Sequence, residues 1–432
     1  MLSANLTVNP AGHLCFAGHD VCTLAQTYGT PLYLMDEQRI RENCRTYTRA
    51  FRAHLGGYGL PVYASKAASF CEIYRIVQSE QMGIDVVSSG EIFTAVKAGF
   101  PMDKAVFHSN NKTDADISYA MSVGVGCFVV DGEEELLRIS QLAAQQGRRQ
   151  KILLRLTPGI DPHTYEAINT GKVDSKFGTA IETGQAAPLV ALALRCEGIE
   201  LIGFHCHVGS EVFEEDVLQR TADIMLDFMA QMRRELGYTA KVLNLGGGYG
   251  VPYLEADGTV DIYARIGEVA QHIRALAERL SYPMPFLMME PGRSIVADAG
   301  LTVYTVGAVK RITGYKNYVS IDGGMTDNPR YALYGANYTV LSGNRTAQAA
   351  TFRCDLVGRC CESGDIIQPA VLLPEATCRG DIVCVCTTGA YNYSMASNYN
   401  RLPRPPIVML REGEARIVVR RETLEDVAAL DV

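Results

Sequence analysis

The sequence predicts an α/β protein: a TIM-like (β/α)8 barrel joined to a second, discontinuous and mostly antiparallel β domain. Three observations predict it. Short apolar runs alternate with helical patterns from about residue 30 to about residue 296. Polar side chains able to do chemistry gather at the C-terminal ends of those runs. After about residue 297 the periodicity switches to apolar–polar alternation.

Eight runs qualify as barrel strands: 62–65, 84–87, 105–107, 126–130, 151–156, 201–208, 242–245 and 286–289. Amphipathic stretches such as 132–146 and 216–236 lie between them. Several open near Asp, Ser or Thr and close near Gly, as helices do. Lys66, Asp85, His108, Arg155, His207, the glycines 246–248 and Glu290 all fall at or just past a strand's C-terminal end. That is the face on which such barrels carry their active sites. The stretches 301–310, 318–322, 351–357, 381–386 and 416–420 alternate and are separated by turn residues, which predicts an antiparallel sheet. Residues 7–9 and 13–16 are also strand-like and are expected to join the same domain. The predicted domains are therefore 30–296 for the barrel, with 1–29 and 297–432 together forming the β domain.

Composition narrows the function classes. A chain of 432 residues suits two domains, and 47% apolar residues supply ample core. A net charge of -8 argues against nucleic acid or an anionic membrane as the main partner. The 13 cysteines are odd in number and irregularly spaced, which fits reduced thiols in the cytoplasm. No stretch reads as a signal peptide or as a membrane-spanning segment.

The candidate site residues carry distinct chemistries. Lys66, between Ala64-Ser65 and Ala67-Ala68, has little bulk around its stem, so a cofactor aldehyde can approach the amine. A solvated lysine is the plainer reading of that residue alone. Gly246, Gly247 and Gly248 follow a strand and let backbone N–H groups approach an anion, or simply form a tight turn. Ser210 offers a hydroxyl to the same anion. His205 and His207 share one face of a strand and Cys206 takes the other, so a metal site using all three is disfavoured and no metal is expected. His207 either stacks on a planar cofactor or is a core histidine. Glu290 can pair with a protonated pyridine nitrogen; Gly292 permits close approach, and Arg293 offers a two-pronged grip on a carboxylate or phosphate. A structural salt bridge is the alternative. Arg330 and Tyr334, four apart, could hold a carboxylate or be ordinary surface residues. Cys361, in Cys361-Glu362-Ser363-Gly364-Asp365, is a candidate proton donor, although most cysteines are inert core residues. Tyr391 follows an apolar strand and offers a hydroxyl, or plain packing.

The order of these motifs resembles the alanine-racemase-like pyridoxal enzymes, and among them the diaminopimelate decarboxylase family most closely. The matching segments include Thr30-Pro31-Leu32-Tyr33, Tyr63-Ala64-Ser65-Lys66-Ala67, Asp161-Pro162-His163, Asp174-Ser175-Lys176-Phe177-Gly178, His205 to Ser210, Glu290 to Val296, Asp322 to Gly335 and Gly389 to Asn400. The resemblance implies pyridoxal 5'-phosphate as cofactor, held by Lys66, stacked on His207 and paired at its nitrogen with Glu290. It places Ser210, Gly246, Gly247, Gly248, Gly292, Arg293 and Tyr391 around the phosphate and neighbouring substrate. It assigns the distal end of an amino-acid substrate to Arg293, Arg330, Tyr334 and Glu362. It implies a homodimer in which Cys361 and Glu362 reach the partner's barrel, and decarboxylation of meso-2,6-diaminopimelate to L-lysine and CO2. Related basic amino-acid or carboxynorspermidine decarboxylases are the first alternative. A racemase is disfavoured by Glu290 and by Cys361-Glu362, and a non-catalytic pyridoxal-binding homologue by the presence of Lys66, Glu290 and Cys361 together. Ala68, Tyr331 and Arg359-Cys360 depart from the family pattern beside key residues and bear on fine substrate preference. The turn-rich stretch 161–178 is the expected loop that closes the site.

Overall fold

The computed structural model describes residues 3–160 and 175–432, so most of the expected closing loop lies outside the described residues. The chain divides into two compact units. One comprises Asn43–Gly250 and Thr259–Gly292; the other comprises Met1–Glu42, Val251–Gly258 and Arg293–Val432.

The first unit is a closed ring of eight parallel strands. In chain order they are β1 (Gly59–Ala64), β2 (Gly83–Val86), β3 (Ala105–Phe107), β4 (Cys127–Val130), β5 (Gln150–Thr157), β6 (Ile199–His205), β7 (Val242–Asn244) and β8 (Phe286–Met289). Every expected barrel strand is present, with ends shifted by a few residues. Strands such as β3 and β4 are buried along their whole length, because helices cover the outside and side chains fill the inside. Val62, Val106, Cys127, Val129, Leu153 and Met288 form one such cluster. The helices between strands begin and end on local signals. Ser88 caps Ser89–Ala98 and Gly99 ends it in the left-handed region, while Thr113 and Asp116 form a capping box at Asp114–Ser122.

Register positions the site. Gly203 lies beside a bulge in β6, and a Cβ there would sit 2.0 Å from the carbonyl oxygen of Val242. Only glycine lets β6 approach β7 so closely. Beyond it His205 is level with Arg155 on β5 and with Asn244 on β7, and Asn244 is level with Met288 on β8. Residues from four adjacent strands thus stand at one height of the barrel.

The second unit is built on a nine-stranded sheet. Its main path runs Ile366–Pro374, Ala350–Val357, Asn317–Ile321, Gly300–Arg311, Leu32–Asp36, Ile407–Arg411 and Glu414–Val419. Ile382–Cys386 pairs with Gly300–Arg311 and with Val340–Ser342. Two pairs are parallel, Asn317–Ile321 with Ala350–Val357 and Leu32–Asp36 with Ile407–Arg411; the others are antiparallel. The strand-like N-terminal runs form their own three-stranded sheet, Leu6–Val8, Leu14–Phe16 and His19–Asp20, instead of extending the larger one. Their Leu6, Leu14 and Phe16 still pack with Leu32, Leu34, Leu301, Val303 and Val408 in one core. Sequence reading set the first boundary near residue 30, ahead of Leu32–Asp36. Those five buried residues read equally well as a barrel strand; their pairing with Gly300–Arg311 and Ile407–Arg411 decides where they go.

Candidate active site

At the mouth of the barrel the central group is Glu290, the residue after β8. Its carboxylate is buried. Oε2 lies 3.1 Å from Nε2 of His205, and Oε1 accepts from Nδ2 of Asn244 at 2.6 Å and lies 2.8 Å from Nε2 of His108. Burial by itself raises a carboxyl pKa, but His108 and His205 beside this one hold it well below the usual range. Glu290 is therefore an anion in a dry setting. Burial pulls the His205 imidazole down to about 4 despite the attraction of Glu290, so it is a neutral donor. The donor atoms of His108, His205 and Glu290 lie within 4.8 Å of one another, a spacing a divalent ion also accepts. The Asn244 amide is an N–H donor, which suits a hydrogen-bonded carboxylate rather than a metal ligand.

Around this centre stand the other strand-end groups. Lys66 lies exposed in the single turn Ser65–Ala67 that follows β1, between buried Ser65 and Ala67. Gly292 packs closely against that turn: a Cβ there would be 3.0 Å from Cβ of Ala64 and 3.2 Å from Cβ of Ala67. Asp85 on β2 is buried, and burial raises its pKa against the opposing effect of His108; Glu290, Lys66 and Arg155 also face it. Arg155 is buried on β5, with its guanidinium 4.4 Å from the centre of the Phe177 ring. Burial and then Asp85 push the Glu91 carboxyl up to about 7, while it accepts from the Val87 N–H at 2.7 Å.

His207 follows β6, and burial, Lys66 and Arg155 hold its imidazole well below the usual range. Its Nδ1 accepts from the Gly247 N–H at 3.4 Å. Ser210 stands three residues on and is half-buried. The glycine turn differs in one respect from the sequence expectation of amides held open for an anion. The Gly246 N–H donates to Oδ1 of Asn244 at 3.0 Å and the Gly247 N–H to His207. The glycines are required by close packing: a Cβ on Gly247 would lie 2.1 Å from the carbonyl oxygen of Glu290, and one on Gly248 would lie 2.3 Å from that of Gly209.

The second unit carries its own constellation. Arg293 and Arg330 are buried, and both donate to the hydroxyl of Tyr253, at 2.6 and 3.1 Å. Arg330 also donates to the Tyr338 hydroxyl at 3.1 Å. The ring of Tyr391 lies 4.8 Å from the Arg293 guanidinium and 5.7 Å from that of Arg330. Tyr391 itself is held at φ 63, in the left-handed region. Among the described residues, Nε of Arg330 and Nδ2 of Asn392 are buried donors without an acceptor. Such groups are costly unless a ligand supplies the acceptor. Tyr334, one turn beyond Arg330 in the helix Arg330–Tyr334, is half-buried. Cys361 and Glu362 are exposed: the Cys361 N–H donates to Asn400 Oδ1 at 2.7 Å, and the Glu362 carboxylate accepts from the Gly364 N–H at 3.3 Å. Cys360 is the inert member of the pair, buried with its thiol pushed up to about 11 by burial and Asp365.

Sequence reasoning placed His108, Asp85 and Arg155 at strand ends without a role. It passed over His205 as a site residue, and Asn244, Glu91, Tyr253 and Tyr338 altogether. Asn244 had one available signal, its place beside the glycine turn; Tyr253 had none.

An exposed lysine on a turn and a buried ionised carboxylate, both at the mouth of the barrel, suit the aldehyde and the protonated ring nitrogen of pyridoxal phosphate, so these residues fit that cofactor. A family model described as "Pyridoxal-dependent decarboxylase, pyridoxal binding domain" matches residues 37–297. The chain belongs to the diaminopimelate decarboxylase family within that class. It is 41% identical to the diaminopimelate decarboxylase of Bacillus subtilis (strain 168), over 98% of this chain and 96% of the relative. It is 38% identical to that of Mycobacterium tuberculosis (strain ATCC 25618 / H37Rv), over 99% and 97%. The crystal structure of the M. jannaschii diaminopimelate decarboxylase in complex with L-lysine superposes with a TM-score of 0.91 at 31% identity, covering 100% of this chain and 99% of that one.

Proposed function

We propose that this chain catalyses the pyridoxal-phosphate-dependent decarboxylation of meso-2,6-diaminopimelate to L-lysine and CO2. The observation that carries the reaction type is the buried, ionised Glu290 at the barrel mouth. When bound, pyridoxal phosphate acts as an electron sink for the pair left behind as CO2 departs.

The chain's own residues do the rest. The amine of Lys66 would hold the cofactor. Glu290 keeps a proton on the ring nitrogen, and a racemase would be better served by a cation there. His207 supports the ring face. Gly246, Gly247, Gly248, Ser210 and Gly292 let the backbone come close to the phosphate end. Arg293 and Tyr391 serve the phosphate and neighbouring substrate. Arg293 and Arg330, with Tyr334 and Glu362, read the distal amino-acid head. The buried Nε of Arg330, which has no acceptor among the described residues, supports a substrate with a distal carboxylate over ornithine, lysine or arginine. Cys361 supplies a proton to the carbon that loses CO2.

We place the enzyme in the cytoplasm, on its 13 free cysteines. None of the described helices is long and apolar enough to cross a membrane. We propose a homodimer in which Cys361 and Glu362 act in the partner's barrel. Mixing Lys66→Ala and Cys361→Ala proteins then restores part of the activity that each lacks; a mixture without activity removes the shared site.

The first test measures CO2 release with pyridoxal phosphate and, separately, diaminopimelate, ornithine, lysine and arginine. Release mainly from diaminopimelate with lysine formed is the expected result, and Lys66→Ala abolishes it. Release mainly from another substrate overturns the reading of Arg330, and normal turnover by Lys66→Ala overturns the assignment.

A further inference from the structure

We infer that His205 and Asn244 are positioning residues: a fixed pair of donors that sets the charge and aim of Glu290 and so keeps the cofactor ring nitrogen protonated. The inference rests on the proposed placement of the cofactor against Glu290.

The shell is built by the backbone. His205 ends β6, Asn244 ends β7, and the two are partners in register. Glu290 follows β8, and its N–H donates to the carbonyl of Gly246 at 2.8 Å. All three side chains are buried.

The orientation of Asn244 is fixed from both ends. Its Oδ1 accepts from the Gly246 N–H at 3.0 Å, which leaves Nδ2 to face Glu290 at 2.6 Å. A flipped amide would set oxygen against a carboxylate and nitrogen against an N–H. The tautomer of His205 is fixed in the same way. With Nε2 at 3.1 Å from a carboxylate, the proton of a neutral ring sits on Nε2, and Nδ1 is left bare. Nδ1 is indeed buried with no partner among the described residues. The tautomer that serves Glu290 thus leaves one acceptor unsatisfied, a cost retained in the fold.

Acceptor counting gives the aim. A carboxylate offers about four acceptor positions, and two are met by His205 and Asn244. His108 Nε2 lies 2.8 Å from Oε1 without hydrogen-bond geometry. About two positions remain, room enough for an N–H from a ring nitrogen. Both donors, Asn244 and the neutral His205, bring hydrogen bonds without a full positive charge. Glu290 therefore retains most of its attraction for a protonated nitrogen, which a directly bonded arginine would cancel. The other titratable groups facing this centre are Asp85 from β2, Arg155 from β5, Lys66 from the turn after β1 and His207 beyond β6. None of these four is hydrogen-bonded to the carboxylate in the described structure.

The test loads the full-length protein with pyridoxal phosphate labelled with 15N in the ring. The ring-nitrogen chemical shift is followed across pH in the original protein, His205→Ala, His205→Gln and Asn244→Asp. In the original protein the nitrogen stays protonated through neutral pH. In His205→Ala it loses its proton at a pH about 1 unit lower, a tenfold change in the equilibrium. kcat falls about tenfold with KM within about threefold, as for an interaction made mainly in the transition state. His205→Gln, which keeps an N–H donor, recovers most of both. Asn244→Asp, which sets a second carboxylate beside Glu290, shifts the titration as well and decides the matter if His205→Ala does not fold. Unchanged ring-nitrogen titration in folded, loaded His205→Ala or Asn244→Asp protein overturns the inference. An unprotonated ring nitrogen in the original protein overturns instead the placement against Glu290 on which it rests.

Discussion

Replacing Gly247 with alanine tests whether the glycine turn sets the position of Glu290. The added Cβ would lie 2.1 Å from the Glu290 carbonyl oxygen and 2.8 Å from its carbonyl carbon. Ordinary contact begins near 3.5 Å, so the two backbones must separate by about 1.4 Å. The obstacle is backbone, so no side-chain rotation relieves it. Leu245 and Glu290 are tied across the same place, by Leu245 N–H to Met288 O at 3.1 Å and Glu290 N–H to Gly246 O at 2.8 Å. The strain moves Glu290 relative to Asn244 and His205, which hold it at 2.6 and 3.1 Å. Overpacking of this kind costs about 1–3 kcal/mol of stability. A displacement of about 1 Å at a reacting centre costs about 100-fold in rate. The assay is CO2 release from diaminopimelate at saturating cofactor, with cofactor affinity from absorbance titration of the apoprotein and stability from thermal melting. Gly307→Ala is the control, since its added Cβ meets nothing nearer than Ser320 O at 3.7 Å. Gly247→Ala protein with kcat and cofactor affinity within threefold of the original would refute the claim that this turn positions Glu290.

Two further outcomes are expected. Arg330→Ala raises KM for diaminopimelate about 10- to 100-fold with a smaller change in kcat, because it removes charge-assisted hydrogen bonds worth about 1.5–3 kcal/mol. An unchanged KM in steady-state kinetics would detach Arg330 from the distal carboxylate. Glu91 gives a pH signature. Its folded pKa, pushed up to about 7 by burial and Asp85, lies above the ordinary 4.5, so its contribution to stability is fully present below about 4.5 and is lost as pH rises through 7. Glu91→Gln therefore flattens the fall in stability between those pH values by about 1–3 kcal/mol, read from urea midpoints at pH 5 and pH 8. An equal slope in both proteins would show that Glu91 titrates normally.

The barrel was legible because its signals are local. Each strand is a short apolar run, helices such as Ser89–Ala98 and Asp114–Ser122 carry their own caps, and the reactive residues sit where one ends and the other begins. Lys66, Glu290 and the glycine turn could be found in that way. The alternating runs after residue 297 were legible for the same reason, although Ile366–Pro374 and Ile407–Arg411 went unremarked among them. Leu32–Asp36 reads as a strand, but its five residues do not say which sheet they join.

By itself the sequence determined the strand count of the barrel, the face that carries chemistry and the kind of chemistry its residues can do. Tertiary structure alone decided which side chains meet. His205 and Glu290 are 85 residues apart, Asn244 and Glu290 46, and Tyr253 and Arg330 77. Those meetings depend on strand register, on the β6 bulge beside Gly203 and on the closed ring, and local periodicity encodes none of these. A histidine or asparagine at a strand end looks the same whether it faces solvent, core or a carboxylate; its neighbour across the barrel makes Glu290 an anion.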